Sequence, residues 1–212
     1  MNDYLSFALI TFPAVFFIMD PLGLLPIFVA ITSNDSEAKR QRTARRATLI
    51  AFGLMTFFTL FGSFVFKAFG ISMSALKVAG GILLLMTATD MLRAQPSRTR
   101  SSPEETHESE AKEDVAVVPL AMPLLAGPGS IATAMVLAAR GPHWTYAIPV
   151  VASIGITCII TYVLLRAAGR LNRLLGTTGI AVLERIMGLL LAAIAVQFVA
   201  DGVMMFMAPP KV

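Results

Sequence analysis

Two short stretches decide how this chain folds: Met19-Asp20-Pro21-Leu22-Gly23 and Leu125-Ala126-Gly127-Pro128-Gly129-Ser130. Each sets a proline inside a long apolar run. Proline lacks an N–H and clashes with the preceding turn, yet it suits the first position of a new helix, above all after a capping residue such as Asp or Gly. Asp20-Pro21 and Gly127-Pro128 therefore read as points where one helix stops and another restarts. A shift of 107 residues lays Pro21 on Pro128 and, without a gap, Val29 on Val136, Gly62 on Gly169, Leu76 on Leu183 and Gly81 on Gly188. The letters repeat weakly, and the pattern of interruptions and glycines repeats more strongly.

Outward from these stretches the chain is apolar. Of its 212 residues 56% are hydrophobic and 14% charged, and mean hydropathy is +0.75, whereas soluble domains are about 25% charged. So little polar surface cannot cover a soluble globule. A helical crossing of the hydrocarbon core needs about 20 residues. The hydrophobic runs predict six spans, at Leu5 to Ile31, Ala47 to Phe66, Ser74 to Leu92, Val115 to Ala139, Thr145 to Leu165 and Ala181 to Met207. Runs such as Gly81 to Met86 and Leu189 to Val196 are apolar on every face, unlike the alternating strands of a membrane barrel. The N-terminus has no basic stretch and its apolar run outlasts a signal peptide's, so the first span reads as retained.

The basic residues give an orientation. Lys39, Arg40, Arg42, Arg45 and Arg46 follow span one, Arg93, Arg98, Arg100 and Lys112 follow span three, and Arg166, Arg170 and Arg173 follow span five. By the positive-inside rule these loops are cytoplasmic and both termini lie outside. The same rule accounts for the net charge of +4 without nucleic acid, for which no basic and aromatic cluster exists. Residues 94–114 carry Glu104, Glu105, Glu108, Glu110, Glu113 and Asp114 and read as a disordered cytoplasmic linker or a regulatory surface. They divide a first three-helix repeat, 1–93, from a second, 115–212. Three spans is an odd number, so the second repeat enters the membrane inverted. The expected fold is all-α, with six transmembrane helices in two inverted three-helix repeats and with helices one and four discontinuous.

A restarted helix leaves its first-turn N–H groups without intrahelical partners and carries about half a positive charge at that end. Such backbone is tolerated at membrane depth only when buried in protein or lining a wet cavity. Two interruptions facing one another thus imply a binding cavity between the halves, the pattern of secondary transporters built from inverted repeats. The expected site comprises Asp20, Pro21, Leu22, Gly23, Gly127, Pro128, Gly129, Ser130 and Ile131. The two restarts differ: Asp20 brings a carboxylate, whereas Gly127 brings none. That asymmetry suits a zwitterion, its carboxylate on the amides of Gly129, Ser130 and Ile131 and its ammonium, or a coupling cation, near Asp20. The plain alternative is that Asp20 only caps its own half-helix. A carboxylate at the centre of a span costs roughly 2.5–3.5 kcal/mol on insertion scales, which weighs toward a role.

Other residues have simpler readings. Gly80, Gly81 and Gly188 let helices approach closely. Thr87, Thr89, Asp90 and Gln197 either line a pathway or sit at an interface, and Lys77 and Glu184-Arg185 anchor span ends. Cys158, the one cysteine, reads as a small buried hydrophobe. His107 and His143 stand apart in loops, so neither a metal site nor a cofactor pattern emerges.

At FPAVFFIMDPLGLLPIF near the start, LKVAGGILLL in span three, VVPLAMPLLAGPGSIATAM in span four and ERIMGLLLAAIAVQF in span six, the sequence resembles the MarC family. This group of six-span bacterial membrane proteins includes the SnatA-type transporters of small neutral amino acids. The resemblance covers nearly the whole chain, and DPLG and AGPGSI are its specific parts. It implies a location in the bacterial inner membrane, discontinuous first and fourth helices, and transport of glycine, alanine or similar amino acids. Asp20, Pro21, Gly23, Gly127, Pro128, Gly129 and Ser130 are the motif residues. The leading expectation is a secondary transporter working outward, an exporter, with proton, sodium or no coupling; the alternative is a channel or efflux protein for another small solute or ion. No phosphate-binding loop points to ATP hydrolysis, and no nucleophile with a base, His cluster or paired carboxylates points to an enzyme. The residues give no signal for an oligomeric state.

Overall fold

The computed structural model describes residues 2–33, 35–93, 116–140 and 144–207, and every regular element among them is helical. Helices α1 (Asn2–Met19) and α2 (Leu24–Ile31) meet at 41° across a short break. They are followed by α3 (Glu37–Ala68), α4 (Met73–Leu92) and α5 (Pro128–Ala138). From Ala147 the chain is helical to Met207 except at Gly176, whose φ of 61° lies in the left-handed region that glycine adopts without a Cβ penalty. It separates two apolar arms, α6 (Ala147–Leu171) and α7 (Ala181–Met207).

Four helices, α3, α4, α6 and α7, are long and apolar enough to cross a membrane, and the bent α1–α2 pair makes a fifth candidate. The fourth predicted run, Val115 to Ala139, is not one helix. Ala116–Leu125 is wound irregularly, with extended backbone at Val118 (φ −125°, ψ 124°) and Met122 (φ −134°, ψ 122°). Each immediately precedes a proline in the sequence, Pro119 or Pro123, and the position before a proline is disfavoured in the helical region. The predicted linker 94–114, His107 and His143 lie outside the described residues.

Hydropathy also understates two helices. The second predicted span opens at Ala47, but α3 begins at Glu37, where Ser36 Oγ accepts the Lys39 amide at 3.3 Å. Its 32 residues extend about 48 Å, against a core of about 30 Å, so the arginine-bearing first turns stand beyond the apolar length. Helix α6 likewise runs on past Leu165 to Leu171.

The helices share two ends. At one, here the tyrosine end, Tyr4 of α1 donates to the Thr145 carbonyl at 3.3 Å and packs edge-on against Tyr146. At the other, the arginine end, the Arg40 guanidinium donates to the Thr32 carbonyl at the end of α2 (3.1 Å) and approaches Gly169 of α6. The α1–α2 pair therefore runs from the tyrosine end to the arginine end. Helices α3 and α6 are antiparallel, with Phe52 beside Gly155 and Arg40 beside Gly169. So are α4 and α7, locked by three glycines: a Cβ on Gly81 would lie 2.7 Å from Val199 Cγ2, one on Gly188 2.9 Å from Met91 Cβ, and one on Gly202 2.7 Å from Val78 Cγ2.

A buried stripe on α3, Ala44, Ala47, Ala51, Met55, Thr59 and Gly62, recurs every three or four positions and turns one face inward. Against it pack Val15 and Met19 of α1, Leu120 and Leu125 of the irregular segment, and Met135 of α5. The opposite faces stay apolar and exposed, as at Phe64 (76%) and Ile159 (65%), the distribution expected where the surrounding solvent is lipid.

Candidate functional site

The first break is built by Asp20. Its amide still bonds back to the Phe16 carbonyl (3.0 Å), but its φ is 47°, so α1 cannot continue. Asp tolerates the left-handed region better than most residues because its carboxylate can bond locally. Here Oδ1 accepts the Gly23 amide at 3.1 Å. The restart is thus three residues later than the sequence implied: Pro21, Leu22 and Gly23 form a turn, and α2 opens at Leu24 behind Gly23. Gly23 has no room for a side chain, since a Cβ would lie 2.9 Å from Asp20 Cγ. Asp20 is 1% exposed and takes part in a further interaction besides this bond.

At the second break α5 opens at Pro128. Gly127, extended at φ −74° and ψ 165°, caps α5 without a side-chain bond, and Pro128 occupies the first turn. The Ile131 amide donates to the Gly127 carbonyl at 2.9 Å, so Ile131 belongs to the helical ladder. Helix geometry leaves the amides of Gly129 and Ser130 as the first-turn donors without an intrahelical acceptor. Pro128 is exposed, while Gly127, Gly129, Ser130 and Ile131 are buried.

The two breaks meet. The Ser130 hydroxyl donates to the Ile18 carbonyl at 3.4 Å, joining the first turn of α5 to the last turn of α1 across 112 residues of sequence. Val15, Ile18, Met19, Met55, Ser130 and Thr133 surround an interstitial space too narrow to admit a water molecule. Helix α4 closes the flank: a Cβ on Gly80 would lie 2.7 Å from Ala132 Cβ, and one on Gly129 2.6 Å from Leu84 Cδ2. The junction is shut. Toward the tyrosine end a second cavity, of about 200 Å³, opens between Thr59 and Ser63 of α3, Met135 and Ala138 of α5, and Ala147 of α6.

Sequence reasoning missed Met55 and Thr133 at this junction. Both were within reach of it, because Met55 lies on the stripe of α3 that recurs every three or four positions and Thr133 stands one turn after Gly129, to whose carbonyl it donates at 2.9 Å. It also missed Asp201. The Asp201 carboxylate accepts Gln197 Nε2 at 2.8 Å and lies 3.8 Å from Lys77 Nζ and 3.9 Å from Arg140. Lys77 and Gln197 thus belong to a charged cluster near the tyrosine end that ties α4 and the end of α5 to α7. Gln197 lies at the level of Gly81, whereas Asp90 lies at that of Gly188, so the two do not form one polar row. Among the described residues, no three of His, Cys, Asp and Glu come together as metal ligands.

Apolar helices long enough to cross a bilayer, exposing apolar side chains outward and meeting at buried breaks, define an integral multi-pass membrane protein. A family model described as MarC family integral membrane protein matches residues 5–207, and the chain belongs to that family. It is 37% identical to the UPF0056 membrane protein MJ1677 of Methanocaldococcus jannaschii, covering 94% of this chain and 97% of that protein. It is 35% identical to the UPF0056 membrane protein YvbG of Bacillus subtilis (93% and 94% covered) and 33% identical to YhcE of Escherichia coli (91% and 89%). No solved structure matches the chain.

Proposed function

We propose that this protein is a secondary transporter of small neutral amino acids such as glycine or alanine, which moves its substrate unaltered by alternating access between two inverted three-helix halves. The observation that carries the reading is the contact of Ser130 with the Ile18 carbonyl, which sets the open end of α5 against the end of α1 beside buried Asp20. The directions of the helices support the inversion: α1–α2 runs toward the arginine end while α5 runs toward the tyrosine end, and α3 opposes α6 as α4 opposes α7. The irregular segment with α5 then serves as the sixth crossing, the counterpart of α1–α2.

In this reading the space at the junction is the closed form of the site. The substrate carboxylate takes the amides of Gly129 and Ser130, and its ammonium, or a coupling proton or sodium ion, lies toward Asp20. The cavity beside Thr59 and Ser63 is the vestibule, separated from the junction by Met55 and Met135, which are 1% and 2% exposed. The arginine end faces the cytoplasm of a bacterial inner membrane, with both termini outside. Purified protein in liposomes, supplied with labelled glycine or alanine with and without proton and sodium gradients, tests the proposal. Saturable flux is expected. Absence of flux for every small neutral amino acid overturns the substrate class, and sustained single-channel currents would make the protein a channel.

A further inference from the structure

A further cavity lies away from the junction. It is a groove of about 550 Å³ between α3 and α6, open toward the membrane. Its walls are Leu49 and Phe52 of α3 and Gly155, Cys158 and Ile159 of α6. The groove exists because Gly155 offers no side chain opposite Phe52, whose Cε2 would lie 3.4 Å from a Cβ there. Its polar groups are Arg45, Thr48 and Tyr162. Thr48 is already satisfied, its hydroxyl donating to the Ala44 and Arg45 carbonyls at 3.0 and 3.1 Å.

The antiparallel register fixes where the charge falls. Phe52 lies beside Gly155 and Arg40 beside Gly169, so Arg45 lies near the level of Tyr162, at the arginine end of the groove. Among the described residues Arg45 makes no ion pair, and its side chain is exposed. The groove is therefore apolar along its length and carries a guanidinium at one end, near the boundary where the apolar part of α3 gives way to its charged first turns. That is the polarity of one phospholipid, an acyl chain below a phosphate, and a basic pocket at a helix seam favours an anionic headgroup. The acidic stretch 104–114 could meet Arg45 but has no apolar run to fill the groove.

We propose that this groove is a binding site for one anionic phospholipid, with an acyl chain lying along Leu49, Phe52, Gly155 and Ile159 and its phosphate held by Arg45. The lipid would sit on the seam between the first and second halves of the chain. The site stands whether or not the protein carries amino acids.

The test uses the purified full-length protein, delipidated and titrated in native mass spectrometry with phosphatidylglycerol and phosphatidylcholine of identical acyl chains. The wild type should retain phosphatidylglycerol about five-fold better, the preference that one arginine near the membrane surface supports. Arg45→Gln, an exposed position, should bring the two lipids level, and Arg45→Lys should restore most of the preference. Gly155→Leu should fill the groove and lower retention of both lipids. Equal retention of the two lipids by the wild type, a preference that survives Arg45→Gln, or retention untouched by Gly155→Leu would each overturn the proposal.

Discussion

The two helix breaks occupy matching places in the chain but are made by opposite means. The first is closed upon itself: a buried carboxylate in left-handed backbone turns back onto the Gly23 amide and consumes one of the donors that the restart exposes. The second is open, because Gly127 caps α5 with backbone alone and leaves the Gly129 and Ser130 amides to whatever lies in front of them. One break holds a buried carboxylate and the other offers a positive helix end, a division that neither could supply alone.

Erasing this difference should have the largest effect. Gly127→Asp gives the second break its own carboxylate in a backbone conformation that any residue adopts. Like charges about 4 Å apart repel by about 4 kcal/mol at an effective dielectric near 20, so amino-acid affinity in the liposome assay should fall at least about 100-fold. Asp is also a preferred helix cap, so loss of transport in a protein that still elutes as a single species separates the site from folding. Unchanged affinity would remove the anion-binding role from the second break.

Asp20→Asn tests the other side. The amide keeps an acceptor for Gly23 and tolerates the same backbone, so the turn should survive while the charge is lost. A charge-assisted contact is worth about 1.5–3 kcal/mol, which predicts a fall in transport of about 10-fold or more together with a changed response to proton or sodium gradients. Transport that keeps its rate, affinity and pH dependence would reduce Asp20 to a cap.

The packing around the junction sharpens the comparison with smaller effects. Gly129→Ala places a methyl against Leu84 and should lower thermal stability by about 1–3 kcal/mol, read in a detergent melting series; a leucine at position 84 shortened to alanine in the same chain should recover part of the loss. Ser130→Ala removes the long hydrogen bond to the Ile18 carbonyl and should cost about 0.5–1.5 kcal/mol. A stability change from Ser130→Ala larger than that from Gly129→Ala would mean that the polar contact, not steric fit, holds the two halves together.

Much of this was legible in the residues because it is local. The predicted sixth span coincides with α7, and the predicted third, Ser74 to Leu92, differs from α4 by one residue, since an unbroken apolar run of that length is both a membrane span and a helix. Hydropathy marked where α3 enters the apolar region but not where the helix begins, because a capped, charged turn is helical without being apolar. The prolines at 119 and 123 carried the irregularity of Ala116–Leu125 in plain view, yet an apolar run alone gave no reason to read them as breaks. The three-residue displacement of the first restart was less accessible: it depends on Asp20 adopting left-handed backbone, which the bond from the Gly23 amide to its carboxylate supports.

Sequence alone therefore determined the membrane class, the family, the third and sixth spans and the chemical difference between the DPLG and AGPGS stretches, all consequences of composition and of proline, glycine and aspartate acting on their nearest neighbours. Tertiary structure decided that Ser130 reaches Ile18, that Asp201 gathers Lys77 and Arg140, and that an apolar groove of about 550 Å³ runs beneath Arg45. Each of these joins residues far apart along the chain, and such pairings follow from how whole helices pack, a property that no local period of the sequence encodes.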